Sequence, residues 1–138
     1  MSAETSNPPA TELNGSALHG PEYEVVRALY SRFGEETCFF QRTRDGVPTV
    51  WVPRDKILDV LRFLKRLPQP FSMLYDLSAI DEQLRNYRRG QPPAELTVFY
   101  HLLSLERTTF SYGGDIRIKV ALQANDLNLP SATGVFVN

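Results

Sequence analysis

Apolar residues recur along this chain with two different periods, and the change of period marks its elements. From Pro21 to Phe33, Val25, Val26, Leu29, Tyr30 and Phe33 return every three or four positions, which places them on one stripe of an amphipathic helix. Pro21 suits the first turn, where its missing N–H has no partner to lose, and Gly34 can adopt the positive φ that ends a helix. A second stripe runs from Asp55 to Leu67, where Ile57, Val60, Leu61, Leu64 and Leu67 share a face while Lys56, Asp59, Arg62, Lys65 and Arg66 lie off it. Asp55 at its start and Lys65-Arg66 at its end complement the helix dipole. Pro68 and Pro70 stop it, because proline lacks the N–H donor and pushes its predecessor out of helical angles.

The remaining stretches are extended. Thr37 to Thr43 and Val47 to Val52 are β-branched and aromatic, and they flank Arg44-Asp45-Gly46, whose Asp-Gly pair supplies the positive φ of a tight turn. They predict a β-hairpin. Phe71 to Ile80 reads as a strand, and Asp81 to Pro93 as a short helical turn leading into a loop. Leu96 to Leu105 is the strongest strand, with Leu96, Val98, Tyr100 and Leu102 on one face and Phe99, Leu103 and Leu105 on the other. A turn over Thr108 to Asp115 leads to Ile116 to Gln123, where Ile116, Ile118, Val120 and Leu122 alternate with Arg117, Lys119, Ala121 and Gln123. This last strand has one wet face and pairs back on its predecessor as a hairpin. Two main helices and about five strands in this order predict an α+β fold, a two-layer sandwich with a mixed or largely antiparallel sheet. Leu127 to Asn138 carries Leu129, Pro130 and the apolar Val135-Phe136-Val137, and runs on without a terminating element.

Composition narrows the class. Residues 1–20 hold no aromatic side chain and bury too little apolar surface to offset ordering, so they are expected to form a flexible tail, with residues 21–138 as one domain. Hydrophobic residues at 42% and charged residues at 22% exclude collagen-like, coiled-coil and wholly disordered chains. Fifteen basic against sixteen acidic side chains give a net charge of -1, and removing the tail with Glu4 and Glu12 barely changes that balance. The basic field of a duplex-binding domain is missing. No signal-peptide pattern opens the chain, and no window approaches the roughly 18 apolar residues of a membrane span, so a soluble chain is expected.

Few residues carry recognisable chemistry. Cys38, the single cysteine, rules out an internal disulfide and reads as a packed thiol; as a nucleophile it would need His101 as its base. His19, His101 and Cys38 are too few and too scattered for a zinc or iron–sulfur site. No glycine-rich phosphate loop precedes a helix. Asp76, Asp81 and Glu82 would serve acid–base work only if the fold gathered them; a strand end and helix cap is the plainer role. Arg85, Tyr87, Arg88 and Arg89 mix guanidinium and aromatic groups, as single-strand nucleic-acid binders do, though a solvated face or interface rim explains them as well. Trp51, Tyr87, Tyr112 and the arginines are types enriched where partners meet. The residues therefore point to a protein whose surface is its function, with no catalytic, cofactor-binding or metal-binding residue expected.

Several runs resemble one family, the C subunit of respiratory NADH-quinone oxidoreductase, which in some bacteria forms the N-terminal part of a fused C/D subunit. The resemblance spans Leu29 to Asn138 and rests on Gly46-Val47-Pro48-Thr49-Val50-Trp51-Val52, on Leu67-Pro68-Gln69-Pro70 with Met73-Leu74-Tyr75-Asp76-Leu77, and on Val98-Phe99-Tyr100-His101-Leu102-Leu103-Ser104-Leu105. Arg117-Ile118-Lys119-Val120-Ala121-Leu122 and Leu129-Pro130-Ser131 with Phe136 and Asn138 continue it. It implies a non-redox subunit of the peripheral arm, on the cytoplasmic face of the bacterial inner membrane, docked on D-type and B-type subunits of the quinone module. FMN, iron–sulfur clusters and quinone would belong to the complex and not to this chain, and nucleic acid would not be a partner. The family's Asn-Trp-Tyr-Glu-Arg-Glu run would begin where this sequence stops, so the chain reads as a C-type subunit without its C-terminal tail. A free-standing α+β module for protein or single-stranded nucleic acid, centred on Arg85 to Arg89, is the alternative.

Overall fold

A computed structural model of the chain describes residues 18–20, 23–83, 91–107 and 114–136. Its elements in order are α1 (Glu24–Phe33), β1 (Phe39–Gln41), β2 (Thr49–Trp51), α2 (Ile57–Lys65), β3 (Met73–Asp81), β4 (Leu96–Leu103), β5 (Asp115–Leu122) and α3 (Thr133–Phe136). The five strands form one mixed sheet in the order β1-β2-β5-β4-β3. All neighbours are antiparallel except β2 and β5, which run parallel with Thr49 opposite Arg117 and Trp51 opposite Lys119. The α+β fold and the mixed five-stranded sheet are as the sequence predicts.

Register explains which side chains meet. Phe40 faces Val50, Val50 faces Ile118, Ile118 faces Tyr100 and Ile116 faces Leu102, so these side chains share one face. That face joins the buried stripes of α1 (Val25, Val26, Leu29, Tyr30) and α2 (Ile57, Val60, Leu61, Leu64) in a single core. Each such side chain moved out of water contributes about 1.5–3 kcal/mol, so the two stripes and the sheet hold each other in place. The opposite face repeats across all five strands as Phe39, Trp51, Lys119, Phe99 and Ser78, and beside it Gln41, Thr49, Arg117, His101 and Asp76. The helices direct their buried residues to the first face alone.

Local chemistry sets the ends of the elements. Gly46 takes φ +77 in the β1–β2 connection, as the Asp-Gly pair predicts, and Gly34 takes φ +95 where its N–H bonds the Tyr30 carbonyl at 2.9 Å. The second helix is shorter than its sequence stripe. A 3₁₀ turn over Arg54–Lys56 replaces its first turn, with the Lys56 N–H on the Pro53 carbonyl at 3.0 Å. At its other end, the Arg66 N–H is shared between the Arg62 and Phe63 carbonyls, because Pro68 forces Leu67 out of helical angles. The hairpin strands are likewise only three residues long, and Leu105 leaves β4 for a 3₁₀ turn over Leu105–Arg107. The first helix starts at Glu24, and Pro21 lies outside the described residues. Most of the expected loop at Asp81 to Pro93 and of the turn at Thr108 to Asp115 also lies outside them.

The segment after β5 carries a short element that the sequence reading lacks, the four-residue α3. It packs on α2, where the Lys65 ammonium donates to the Val135 carbonyl and lies over the Phe136 ring. Arg54 fixes the preceding loop by an ion pair with Asp126 at 2.9 Å and by donating to the Asp126 and Asn128 carbonyls at 3.0 and 3.3 Å.

Candidate interaction surface

The sheet keeps apart the residues that a nucleophilic reading would combine. Cys38 sits in the core just before β1, whereas His101 lies on the opposite face of β4, with β2 and β5 between. At about 4.8 Å per strand spacing, the sheet places their strands about 14 Å apart. Burial pushes the Cys38 thiol up to about 11, so it stays protonated at neutral pH. His101 Nε2 is instead held by Asp115 Oδ2 at 2.9 Å, with the Tyr75 ring edge-on at 5.3 Å. The acidic trio does not gather either. Asp76 and Asp81 occupy opposite faces of β3, about 16 Å apart for five residues of strand. The Asp81 carboxylate accepts the Gln83 N–H at 3.0 Å, as a strand-end turn requires, and Glu82 is buried.

One cysteine is far short of the four ligands an iron–sulfur cluster takes, and among the described residues no group of three or more His, Cys, Asp or Glu converges. No helix among them is long and apolar enough to cross a membrane.

The second sheet face is a ladder of paired polar and aromatic groups. Trp51 Nε1 donates to Gln41 Oε1 at 2.7 Å, its ring stacks on Phe39 at 6.5 Å, and the Lys119 ammonium lies 5.2 Å above it. Trp51 is 2% exposed, so the residue that composition marks for partner contact is part of the sheet's own packing. Arg85, Tyr87, Arg88, Arg89 and Tyr112 lie outside the described residues.

Arg117 ties this face to the β1–β2 turn: Nη2 reaches Asp45 Oδ2 at 2.8 Å and Nη1 reaches Thr49 Oγ1 at 3.4 Å. The Arg117 guanidinium, then the Thr43 hydroxyl at 2.6 Å, hold the Asp45 carboxyl well below the usual carboxylate range. A depressed folded-state value stabilises the fold above the unfolded value of about 3.9 and loses that contribution as pH falls further. Unfolding midpoints in urea at pH 7 and pH 3 are therefore expected to fall less for Asp45→Asn than for the parent. Equal falls would show that this pairing adds nothing at the surface, where water and salt weaken it.

What stays open is the far side of the sheet. Along β3, Met73 and Tyr75 are 41% and 63% exposed on that side, while Leu77, 51% exposed, faces the helix-bearing side. On its helix-bearing side, β3 borders an apolar groove of about 570 Å³, walled by Leu77, Ala79 and Val98 and closed by Leu129, Pro130 and Phe136.

Comparison with known proteins decides the family. The family model described as "Respiratory-chain NADH dehydrogenase, 30 Kd subunit" matches residues 50–138. The chain belongs to this family. Among the family's curated members, the NADH-quinone oxidoreductase C/D subunit of Pseudomonas aeruginosa (strain UCBPP-PA14) is 51% identical over 128 residues, 89% of this chain and 21% of that protein. The protein of the same name from Azotobacter vinelandii is 53% identical over the same lengths. The chain thus spans about a fifth of these relatives. In the solved structure titled "Nqo5 of the trypsin-resistant fragment (1-134) in P63 form", 80% of the molecule superposes on 81% of this chain with a TM-score of 0.64 at 21% identity, which shows a shared fold.

Proposed function

We propose that this domain is a structural, non-redox part of the peripheral arm of an NADH-quinone oxidoreductase. It supports electron transfer from NADH to quinone, and the coupled proton translocation, by holding neighbouring subunits in place. The observation that carries the reading is the family match over residues 50–138, joined by about 50% identity to proteins named as C/D subunits of that enzyme. The chemistry of the chain agrees: its one thiol is buried and protonated, and His101 is engaged by a carboxylate on the other side of the sheet. FMN, iron–sulfur clusters and quinone are assigned to other subunits. D-type and B-type subunits of the quinone module are the partners, and the domain reaches the cytoplasmic face of the inner membrane only through them. Residues 21–138 act as one docking unit, into whose core Leu18 of the preceding segment is also packed.

The test is to tag the full-length gene product and purify it from detergent-solubilised membranes. Co-purified subunits and NADH-quinone reductase activity are the expected result. Recovery of the tagged protein alone, without activity, would overturn the reading.

A further inference from the structure

The two edges of the sheet are finished differently. The β1 edge is three residues long, and its Phe40 N–H is taken by the Tyr30 hydroxyl of α1 at 3.0 Å. The β3 edge is nine residues long, and among the described residues no backbone group bonds to its outer side from Leu77 to Asp81. Exposed edges are ordinarily blunted by lysine, proline, bulges or brevity. From Met73 to Asp81 there is no Lys, Arg or Pro, and the one bulge, between Leu74 and Asp76, leaves the second half of the strand regular.

The direction of the peptide groups follows from two hydrogen bonds. Glu82 N–H donates to the Glu95 carbonyl and Ser104 N–H to the Gly114 carbonyl, each at 2.9 Å. With the β3–β4 and β4–β5 registers, both require Ser78 and Ile80 to face β4, and hence Leu77, Ala79 and Asp81 to present N–H and C=O outward. The side chains of Leu77 and Ala79 line the apolar groove beside Phe136, and those of Met73 and Tyr75 stand exposed near the other end of the strand. Backbone donors, backbone acceptors and apolar area thus converge on one line.

We infer that the free edge of β3 receives an extended segment of a different polypeptide, apolar at alternate positions and basic opposite Asp76 and Asp81. The main chain of that segment pairs with Leu77, Ala79 and Asp81 while its apolar side chains enter the groove, the mode in which main-chain bonds give affinity and side-chain pockets give selectivity. Charge decides against a second copy of this chain. The only charged side chains on β3 are Asp76 and Asp81, on its two faces, so a second copy of the strand offers neither of them a cation. The inference rests on the proposed role as a docking subunit and names the edge that docks.

Ala79→Pro separates this contact from folding. Proline at an outward position removes one edge donor and fills its place with a ring, while the bonds to β4 are kept. Ala79→Val adds bulk but keeps the N–H. Each is introduced into the full-length protein and purified with its complex, and amide hydrogen exchange at the outward residues Leu77, Ala79 and Asp81 is followed in the free protein and in the complex. The parent and Ala79→Val are expected to co-purify with partners and to slow exchange at these amides at least tenfold on assembly. Ala79→Pro is expected to retain the parent's circular dichroism and to lose at least nine-tenths of the co-purified subunits. The inference is overturned if Ala79→Pro assembles like the parent, if the free full-length chain already protects these amides, or if protection grows with its own concentration as in self-pairing. If Ala79→Pro loses its fold, the parent's exchange alone decides: no slowing on assembly overturns the inference. Absence of partners from the parent preparation defeats the docking role itself, a result distinct from assembly that spares β3.

Discussion

Leu61→Ala is expected to destabilise the domain by about 3 kcal/mol, within the range of about 2–5 kcal/mol for emptying a fully buried leucine site. Leu61 is completely buried at the centre of α2, in the cluster where the helix stripe meets β5 and β4. Removing its branched end forfeits the transfer energy of the lost carbons and leaves a void that the sheet, fixed by five-strand register, fills only in part. A domain of this size is stable by only about 5–15 kcal/mol, so the loss is a large share of the total. Urea denaturation should show a lower midpoint with an unchanged slope. A change below about 1 kcal/mol would mean that α2 relaxes into the gap and that the core is less tightly specified than its burial implies.

Arg107→Ala is expected to cost about 2 kcal/mol, whereas Glu24→Ala, which removes the partner in Arg107's ion pair, should cost less than about 0.5 kcal/mol. Arg107 lies in the 3₁₀ turn after β4 with its side chain 10% exposed; Glu24, on α1, is 64% exposed. The guanidinium donates from Nε to the Gln69 carbonyl at 3.0 Å, lies 4.8 Å over the Phe71 ring and reaches Glu24 at 3.2 Å. Its value lies in satisfying a backbone acceptor and covering an aromatic ring, since water screens the exposed carboxylate. Denaturation of both variants and of the double variant measures the split. Equal costs for the two single changes would assign the effect to the ion pair instead.

Features written in one short window were legible in the sequence. The α2 stripe, the Asp45-Gly46 turn and the strict alternation of β5 each express a local period or a local φ requirement. The parallel pairing of β2 with β5 was not legible, because nothing within Thr49–Trp51 encodes a partner 68 positions later. For α3, Gly134 and the β-branched Thr133 and Val135 argue against a helix, and tertiary contacts with Lys65 override that preference. Apolar content marks Phe71 to Ile80 as a strand, but composition does not say which strand ends a sheet. Trp51 failed as an interface candidate for the opposite reason: its indole N–H has a partner within the hairpin, Gln41. One cysteine and two histidines limit metal and nucleophile chemistry before any folding is considered.

The one parallel junction also orders events in time. β3, β4 and β5 follow one another in sequence and can zip together locally, but β2 has no inner neighbour until β5 has been made. During synthesis at about 5–20 residues per second, the apolar segment around Val50 and Trp51 leaves the ribosome several seconds before its partner strand. The slow step is therefore closure of the long loop between them, a cost in chain entropy incurred before the central contacts form. Nascent chains spend that interval with the middle of the sheet unbuilt.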